Sequence, residues 1–188
     1  GVTIEELGDQ STGYTPLRPT SYMKTVVWPS GTGDIRRDYN FISGYNGVKF
    51  NGSSVWMGPK FWCPKLYKRY DNNNYKIFRY ADAVLLYAEA LCEKGEFARS
   101  VEYLNMVRDR AQIQRYSFKS EVKLRGEIRD ERARELFGEF NRKYDLVRWG
   151  IWYERTVAYN DGYYLKGYIR ECHRFLPIPE DQITYSGG

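Results

Sequence analysis

The sequence predicts a mainly α protein: an α–α superhelical scaffold of paired helices with long irregular loops and minor β structure. Three observations predict it. Apolar residues recur at helical spacing between about 76 and 150. A Lys94-Gly95 stop separates two such stripes by a very short turn. The stretches on either side are rich in Gly, Pro, Asn, Ser and aromatic residues, which favour turns and loops.

The first stripe is Tyr80, Val84, Tyr87 and Leu91, at spacings of four, three and four. Ala81, Leu85 and Ala88 lie on the same side, so one broad face is apolar. Lys94 places a cation near the negative helix end, and Gly95 can take the left-handed conformation. A second helix follows from Glu96, with Phe97, Val101, Leu104, Val107 and Ala111 on its stripe. Helices joined by so short a turn run antiparallel and pack together. The pair has tetratricopeptide logic. Ala88 and Ser100 are the small residues where the helices approach, and Val84, Tyr87, Leu91 and Leu104 fill the large positions. One such repeat cannot bury its own faces, so something else must cover the hairpin.

A third helix starts near Ser120, an N-cap with Glu121 behind it. Leu124, Ile128, Leu136 and Phe140 share its buried face, with Ala133 and Phe137 adjacent. Asp130 and Arg134 are spaced for an exposed ion pair.

The organisation read from this is one domain in three stretches. Residues 1–75 are a loop-rich aromatic segment and the candidate ligand face. Residues 76–150 are the helical scaffold, and 151–188 are C-terminal loops packing on it. In the first stretch Pro29-Ser30-Gly31, Asn51-Gly52 and Asp71-Asn72-Asn73-Asn74 mark turns, with short β pieces around Val26-Val27 or Gly47 to Phe50. In the last, Pro177 and Pro179 bracket Ile178 and hold it extended.

A chain of 188 residues permits one medium domain with a sizeable core. Hydrophobic residues at 42% and charged residues at 28% exclude a wholly disordered protein. The anomaly is aromatic content: 17%, with 18 Tyr and 5 Trp, a composition suited to wet binding surfaces. The net charge of +5 is not gathered into a stripe. Basic and acidic residues alternate, as in Arg129-Asp130-Glu131-Arg132, which reads as a solvated, ion-paired surface and argues against nucleic acid as a partner.

Cys63, Cys92 and Cys172 form no CxxC, which argues against a zinc or redox motif. Cys92 falls in an apolar helical pattern as a small core residue. An oxidising location leaves a Cys63–Cys172 bridge open. No signal peptide is visible, and the chain opens Gly1-Val2 without an initiator Met. The longest strictly apolar run, Ala83 to Ala88, is far too short to span a bilayer.

Four segments in order resemble the C-terminal signature of the SusD/RagB family of Bacteroidetes. They are Phe78-Arg79-Tyr80-Ala81-Asp82 through Leu91; Leu104-Asn105-Met106-Val107-Arg108 through Ala111; Ile128-Arg129-Asp130-Glu131-Arg132 through Leu136, continuing to Asp145-Leu146-Val147-Arg148-Trp149-Gly150; and Leu176-Pro177-Ile178-Pro179. Asp34-Ile35-Arg36-Arg37-Asp38 loosely resembles an aspartate-arginine segment upstream. Two residues depart from the pattern: Ala133 replaces an arginine usual there, and Phe140 stands where a glycine is usual. Family members are normally much longer, with an N-terminal tetratricopeptide-like half, so this is a fragment or an unusually short member. The resemblance implies a lipid-anchored protein on the extracellular face of the outer membrane. Its N-terminal lipid anchor is absent from this chain. It also implies oligosaccharide binding and a partner, a SusC-like TonB-dependent transporter.

A sugar ring offers an apolar face of C–H groups and a rim of hydroxyls. Aromatic planes cover the face at little entropic cost, and amide or charged side chains meet the rim. Trp28, Trp56 and Trp62, with Tyr45 and Asn46 beside Tyr22 and Tyr39, are the candidate ligand residues. Each Trp either stacks on sugar or packs the loops onto the helices. A second aromatic stretch, 149–168, holds Trp152, Tyr153, Tyr159, Tyr163 and Tyr164 and is a second candidate surface, for ligand or instead for the transporter. Trp149 reads as structural, with Asp145 and Arg148 tying the third helix to its loop.

Nothing indicates catalysis, a metal or a cofactor. Glu131 and Glu135, or Glu89 and Glu93, have i,i+4 spacing but read as surface charges beside arginines. His173 stands alone, without a nucleophile motif. Asp71-Asn72-Asn73-Asn74 lacks the spacing of a calcium loop. The alternative to a glycan-binding protein is a tetratricopeptide-type adaptor for protein segments. A carbohydrate-active enzyme is a third reading without a catalytic constellation.

Overall fold

The computed structural model describes residues 18–45, 48, 49, 56, 57, 60, 76–162 and 167–185. The chain forms two compact units, Gly1–Phe140 and Asn141–Gly188, each described here by itself.

The first unit is built on helices α1 (Ile35–Asn40), α2 (Tyr80–Glu93), α3 (Phe97–Arg110) and α4 (Glu121–Glu135). Helix α2 stops where expected. Gly95 takes φ +79°, its N–H donates to the Cys92 carbonyl at 3.0 Å, and the Glu96 N–H donates to Leu91 at 2.9 Å. This left-handed turn satisfies two carbonyls at the helix end and reverses the chain into α3. Close approach of the two helices is sealed where Ser100 Oγ donates to the Ala88 carbonyl at 2.7 Å, as the small residues predicted. Ser120 caps α4, accepting from Lys123 N–H at 3.3 Å.

Helix α4 covers the hairpin. Val84, Leu85, Ala88, Cys92, Leu104, Val107, Leu124 and Ile128 form one buried cluster, with Phe97, Val101, Tyr103 and Tyr116 packed at its edge. Burial of each large aliphatic side chain contributes about 1.5–3 kcal/mol. The α3–α4 connection is held by Asn105, whose amide donates to the Tyr116 carbonyl at 3.0 Å and accepts from its N–H at 2.7 Å.

Three expectations are corrected. Tyr80 and Tyr87 are exposed. The buried face of α2 centres on Leu85, Ala88 and Cys92, and α3 and α4 both press on that side. Phe140 is not on the buried face of α4: the helix ends at Glu135, and Gly138 (φ +78°) and Phe140 (φ +62°) turn the chain away, leaving Phe140 exposed. Val26-Val27 is not a strand; Met23–Val27 forms a wide helical turn, closed by Trp28 N–H donating to Met23 at 2.9 Å.

The β content is small. Strands β1 (Phe41–Ile42) and β4 (Trp56–Met57) pair antiparallel, with Ile42 opposite Trp56. Strands β2 (Gly44–Tyr45) and β3 (Val48–Lys49) pair with Tyr45 opposite Val48.

The second unit contains α5 (Arg142–Arg148), α6 (Trp152–Tyr159), a 3₁₀ turn at Glu171–Arg174 and α7 (Glu180–Tyr185). Gly150 at φ +72° ends α5, and Ile151 N–H donates to Leu146 at 3.0 Å. Arg148 donates to Asp145 Oδ1 from Nε (3.0 Å) and Nη2 (2.9 Å). That pair is internal to α5 and braces one helix turn. Trp149 has the guanidinium carbons of Arg142 and Arg148 over its ring at 5.2 and 4.9 Å. The segment between the two prolines is non-helical, as expected.

Candidate functional site

The buried stripe of α4 changes chemistry along its length. Leu124 and Ile128 are followed, at the same helical spacing, by Glu131 and Glu135. These carboxylates are not surface charges: Glu131 is 0% and Glu135 3% exposed. Arg132 and Glu89 are buried too, so the alternating charges of 129–132 are largely internal. A carboxylate buried alone is prohibitively costly, so arginines must meet it.

They come from four places in the chain. Arg36, in α1, donates through Nη1 to Glu131 Oε1 and to Glu135 Oε2, both at 2.8 Å. Arg108 and Arg134 reach Glu131 Oε2 at 3.2 and 2.9 Å and share Glu127 Oε1 at 2.6 and 2.5 Å. Arg110, at the end of α3, donates to both Glu135 oxygens at 2.6 and 2.5 Å. Arg79, just before α2, reaches Glu135 Oε1 at 3.2 Å and Glu139 at 2.7 and 2.9 Å. Lys60 pairs with Glu139, and its Nζ also donates to the carbonyls of Glu135 (2.8 Å) and Phe137 (3.2 Å). Glu135 therefore accepts from Arg36, Arg79 and Arg110 with its carboxylate, and from Lys60 and Arg79 with its carbonyl.

The 28–42 segment is locked onto this node. Asp34 caps α1, accepting from Arg36 N–H at 3.0 Å, and takes the Arg36 fork at 2.9 and 2.8 Å. Trp28 Nε1 donates to Asp34 Oδ2 at 3.0 Å. The Trp28 ring meets Phe41 and Phe137 edge-on, with centroids 5.2 and 6.1 Å away. Arg134 donates to the Val27 carbonyl at 3.0 Å.

Burial by itself would push the Glu135 and Asp34 carboxyls up. The hydrogen bond and charge of Arg36, joined at Glu135 by the charges of Arg110 and Arg79, hold both below the usual carboxylate range. Burial pulls the Lys60 ammonium below its ordinary value in spite of Glu139.

Among the sequence-predicted ligand residues, Trp28 takes the packing role: it is 1% exposed, and no ring face is open to a sugar. Strand pairing places Trp56 opposite Ile42, next to Phe41 of the buried aromatic cluster, and Tyr45 lies three residues beyond Ile42. Asn46, Trp62, Cys63 and Asp71-Asn72-Asn73-Asn74 lie outside the described residues. Cys92 is buried and Cys172 exposed, both as free thiols. His173 is exposed and accepts from the Arg170 N–H at 3.2 Å. In the second aromatic stretch Trp152 is buried and Tyr153 exposed. Among the described residues no group of three or more His, Cys, Asp or Glu could hold a metal ion. No helix among them is long and apolar enough to cross a membrane.

The spacing did carry a signal for Glu131 and Glu135. Positions 124, 128, 131 and 135 make one continuous stripe, so the face buried at its first half is buried at its second.

These features define a class: a helical hairpin with a covering helix, whose charged end holds the 28–42 segment through buried ion pairs. The chain belongs to the SusD family, whose family model matches residues 65–187. It is 32% identical over 162 residues to SusD-like protein P25 of Formosa agariphila, covering 80% of this chain and 29% of that protein. In structure it is similar to a SusD superfamily protein of Bacteroides vulgatus, with a TM-score of 0.65 and 25% identity over 80% of this chain and 37% of that one. It shares the fold of surface glycan-binding protein A from Bacteroides thetaiotaomicron, with a TM-score of 0.58 and 22% identity over 83% of this chain and 37% of that one. The chain thus spans about a third of the length of these relatives.

Proposed function

We propose that this chain is part of a non-catalytic protein that binds oligosaccharide at the cell surface and delivers it to a SusC-like TonB-dependent transporter. Its place is the extracellular face of the outer membrane, held by an N-terminal lipid. Membership of the SusD family and the fold shared with a surface glycan-binding protein support this reading. The observation that carries it is that Trp28 and Phe41, at the start of β1, pack edge-on against Phe137 beside α4, and that β4 (Trp56–Met57) pairs with β1. An aromatic plane on a strand so anchored can take the C–H face of a sugar with little loss of side-chain freedom. Trp56 and Trp62 are the stacking residues of this reading, and Tyr45 and Asn46 meet the hydroxyl rim. The paired carboxylates Glu131 and Glu135 are bound up by arginines, which suits them to structure and not to general acid–base chemistry.

Calorimetric titration with the oligosaccharide selected on a glycan array tests the proposal. Trp56→Ala and Trp62→Ala are expected to weaken binding about five- to thirtyfold, the loss of one stacking contact of about 1–2 kcal/mol. Unchanged affinity in both variants would overturn the site assignment. Release of reducing sugar from polysaccharide by the wild-type protein would overturn the non-catalytic role.

A further inference from the structure

Ion pairs and aromatic contacts both hold the 28–42 segment on helix α4, and they act at different places. The ion pairs act on α1: Arg36 meets Glu131 and Glu135, and Asp34 takes the rest of its fork. Strand β1 begins five residues after Arg36, and there the contact is aromatic. The Phe41 ring meets the Phe137 ring edge-on, with centroids 5.0 Å apart and planes at 76°. Trp28 closes the trio from its own segment, edge-on to both rings. Of these three rings, Phe137 is the one that the scaffold contributes. It sits two residues past the end of α4, its N–H donating to the Arg134 carbonyl at 3.4 Å. Its carbonyl accepts from Lys60, three residues past β4, an ammonium it shares with the Glu135 carbonyl and Glu139.

We propose that Phe137 is a positioning residue for the glycan site: its ring fixes where β1 lies on the helical frame, and β1 passes that placement to Trp56 by strand pairing. The stacking role of Trp56 rests on the reading above; the placement of β1 does not. The register leaves one step between ring and strand, for Phe41 pairs with Met57 and Ile42 with Trp56. Edge-on packing is directional. The positive edge of one ring seeks the negative face of the next, so the angle between rings is held as well as their distance. An aliphatic side chain at 137 keeps much of the buried area and loses that angle. A stacking residue on a strand that is not fixed must be ordered when ligand arrives, and affinity falls by that cost.

Amide hydrogen exchange and calorimetry on the full-length protein, with the array-selected oligosaccharide as probe, test this together. Phe137→Leu is expected to speed exchange at residues 41, 42, 56 and 57 by about tenfold, while α2 and α3 amides keep their rates. It is expected to weaken oligosaccharide binding about three- to tenfold, and to weaken it no further once Trp56→Ala is present. Phe137→Tyr keeps the ring and should hold both readouts at the wild-type level. Phe41→Leu removes the partner ring and should act as Phe137→Leu does; it decides the matter if Phe137→Leu does not fold. Wild-type exchange at β1 and β4 in the leucine variants would overturn the proposal, as would an affinity loss that simply multiplies with that of Trp56→Ala. Unchanged affinity in Trp56→Ala, or no binding by the wild-type protein, sinks the reading above instead, and the exchange rates then decide the placement of β1 alone.

Discussion

Arg36 and Glu131 meet at 2.8 Å across 95 residues of sequence, and through that pair the aspartate-arginine segment is built into the covering helix. The same guanidinium nitrogen bonds Glu135 at 2.8 Å, and the rest of the fork holds Asp34. Removing Arg36 takes the cation from the buried Asp34 carboxylate and one of several from Glu131 and Glu135. Arg36→Met is therefore expected to lower stability by about 3–5 kcal/mol. A urea midpoint within error of wild type would contradict this.

Acid should loosen the node. The Asp34 and Glu135 carboxyls titrate below their ordinary range in the folded chain, so the unfolded chain takes up their protons first as pH falls. Their stabilisation is complete above the ordinary carboxylate value of about 4 and is lost as pH drops through the depressed folded values. Melting temperatures are expected to hold from pH 7 to 5 and to fall steeply below about pH 4. Glu135→Gln should show a shallower acid limb than the wild type.

Among the described residues, two non-glycine residues sit in the left-handed region: Gln112 at φ +55° and Phe140 at φ +62°. Gln112 closes α3 with the same turn that Gly95 makes for α2, its N–H donating to Asp109 at 3.0 Å. Side chains cost about 1–2 kcal/mol there, a cost glycine avoids but partly returns through its freer unfolded chain. Gln112→Gly and Phe140→Gly are each expected to raise stability by up to about 1 kcal/mol, read by chemical denaturation. The opposite change, Gly95→Ala, should cost about 1 kcal/mol.

Trp28 separates packing from ligand binding. Trp28→Phe keeps an aromatic ring and deletes the Nε1–H bond to Asp34. The unsatisfied buried carboxylate lone pair should cost about 1–3 kcal/mol of stability. Glycan affinity should not change, because the ring has no open face. A large loss of affinity with stability unchanged would reverse this assignment.

Much of the helical frame was legible in the residues. The stripe through Leu104 and Val107, the Gly95 stop, the Ser120 cap and the Ala88–Ser100 approach are short-range features, and each appears where its local chemistry put it. Phe140 adopts a positive φ, a conformation that glycine takes most easily. The candidate ligand residues were less legible. Trp28 looked no different from Trp56 until its partner was known, and that partner, Asp34, is reached only when α1 caps itself.

What the sequence determined alone was local: the stripes through Leu85, Leu104, Leu124 and Ile128, the stop at Gly95 and the start at Ser120, but not the end of α4 at Glu135. Such features depend on neighbours within a turn or two. The sign of burial at Glu131 and Glu135 was decided by tertiary structure. A carboxylate on a buried stripe is tolerable only when distant cations converge on it, and Arg36, Arg79, Arg108 and Arg110 are brought there by the fold.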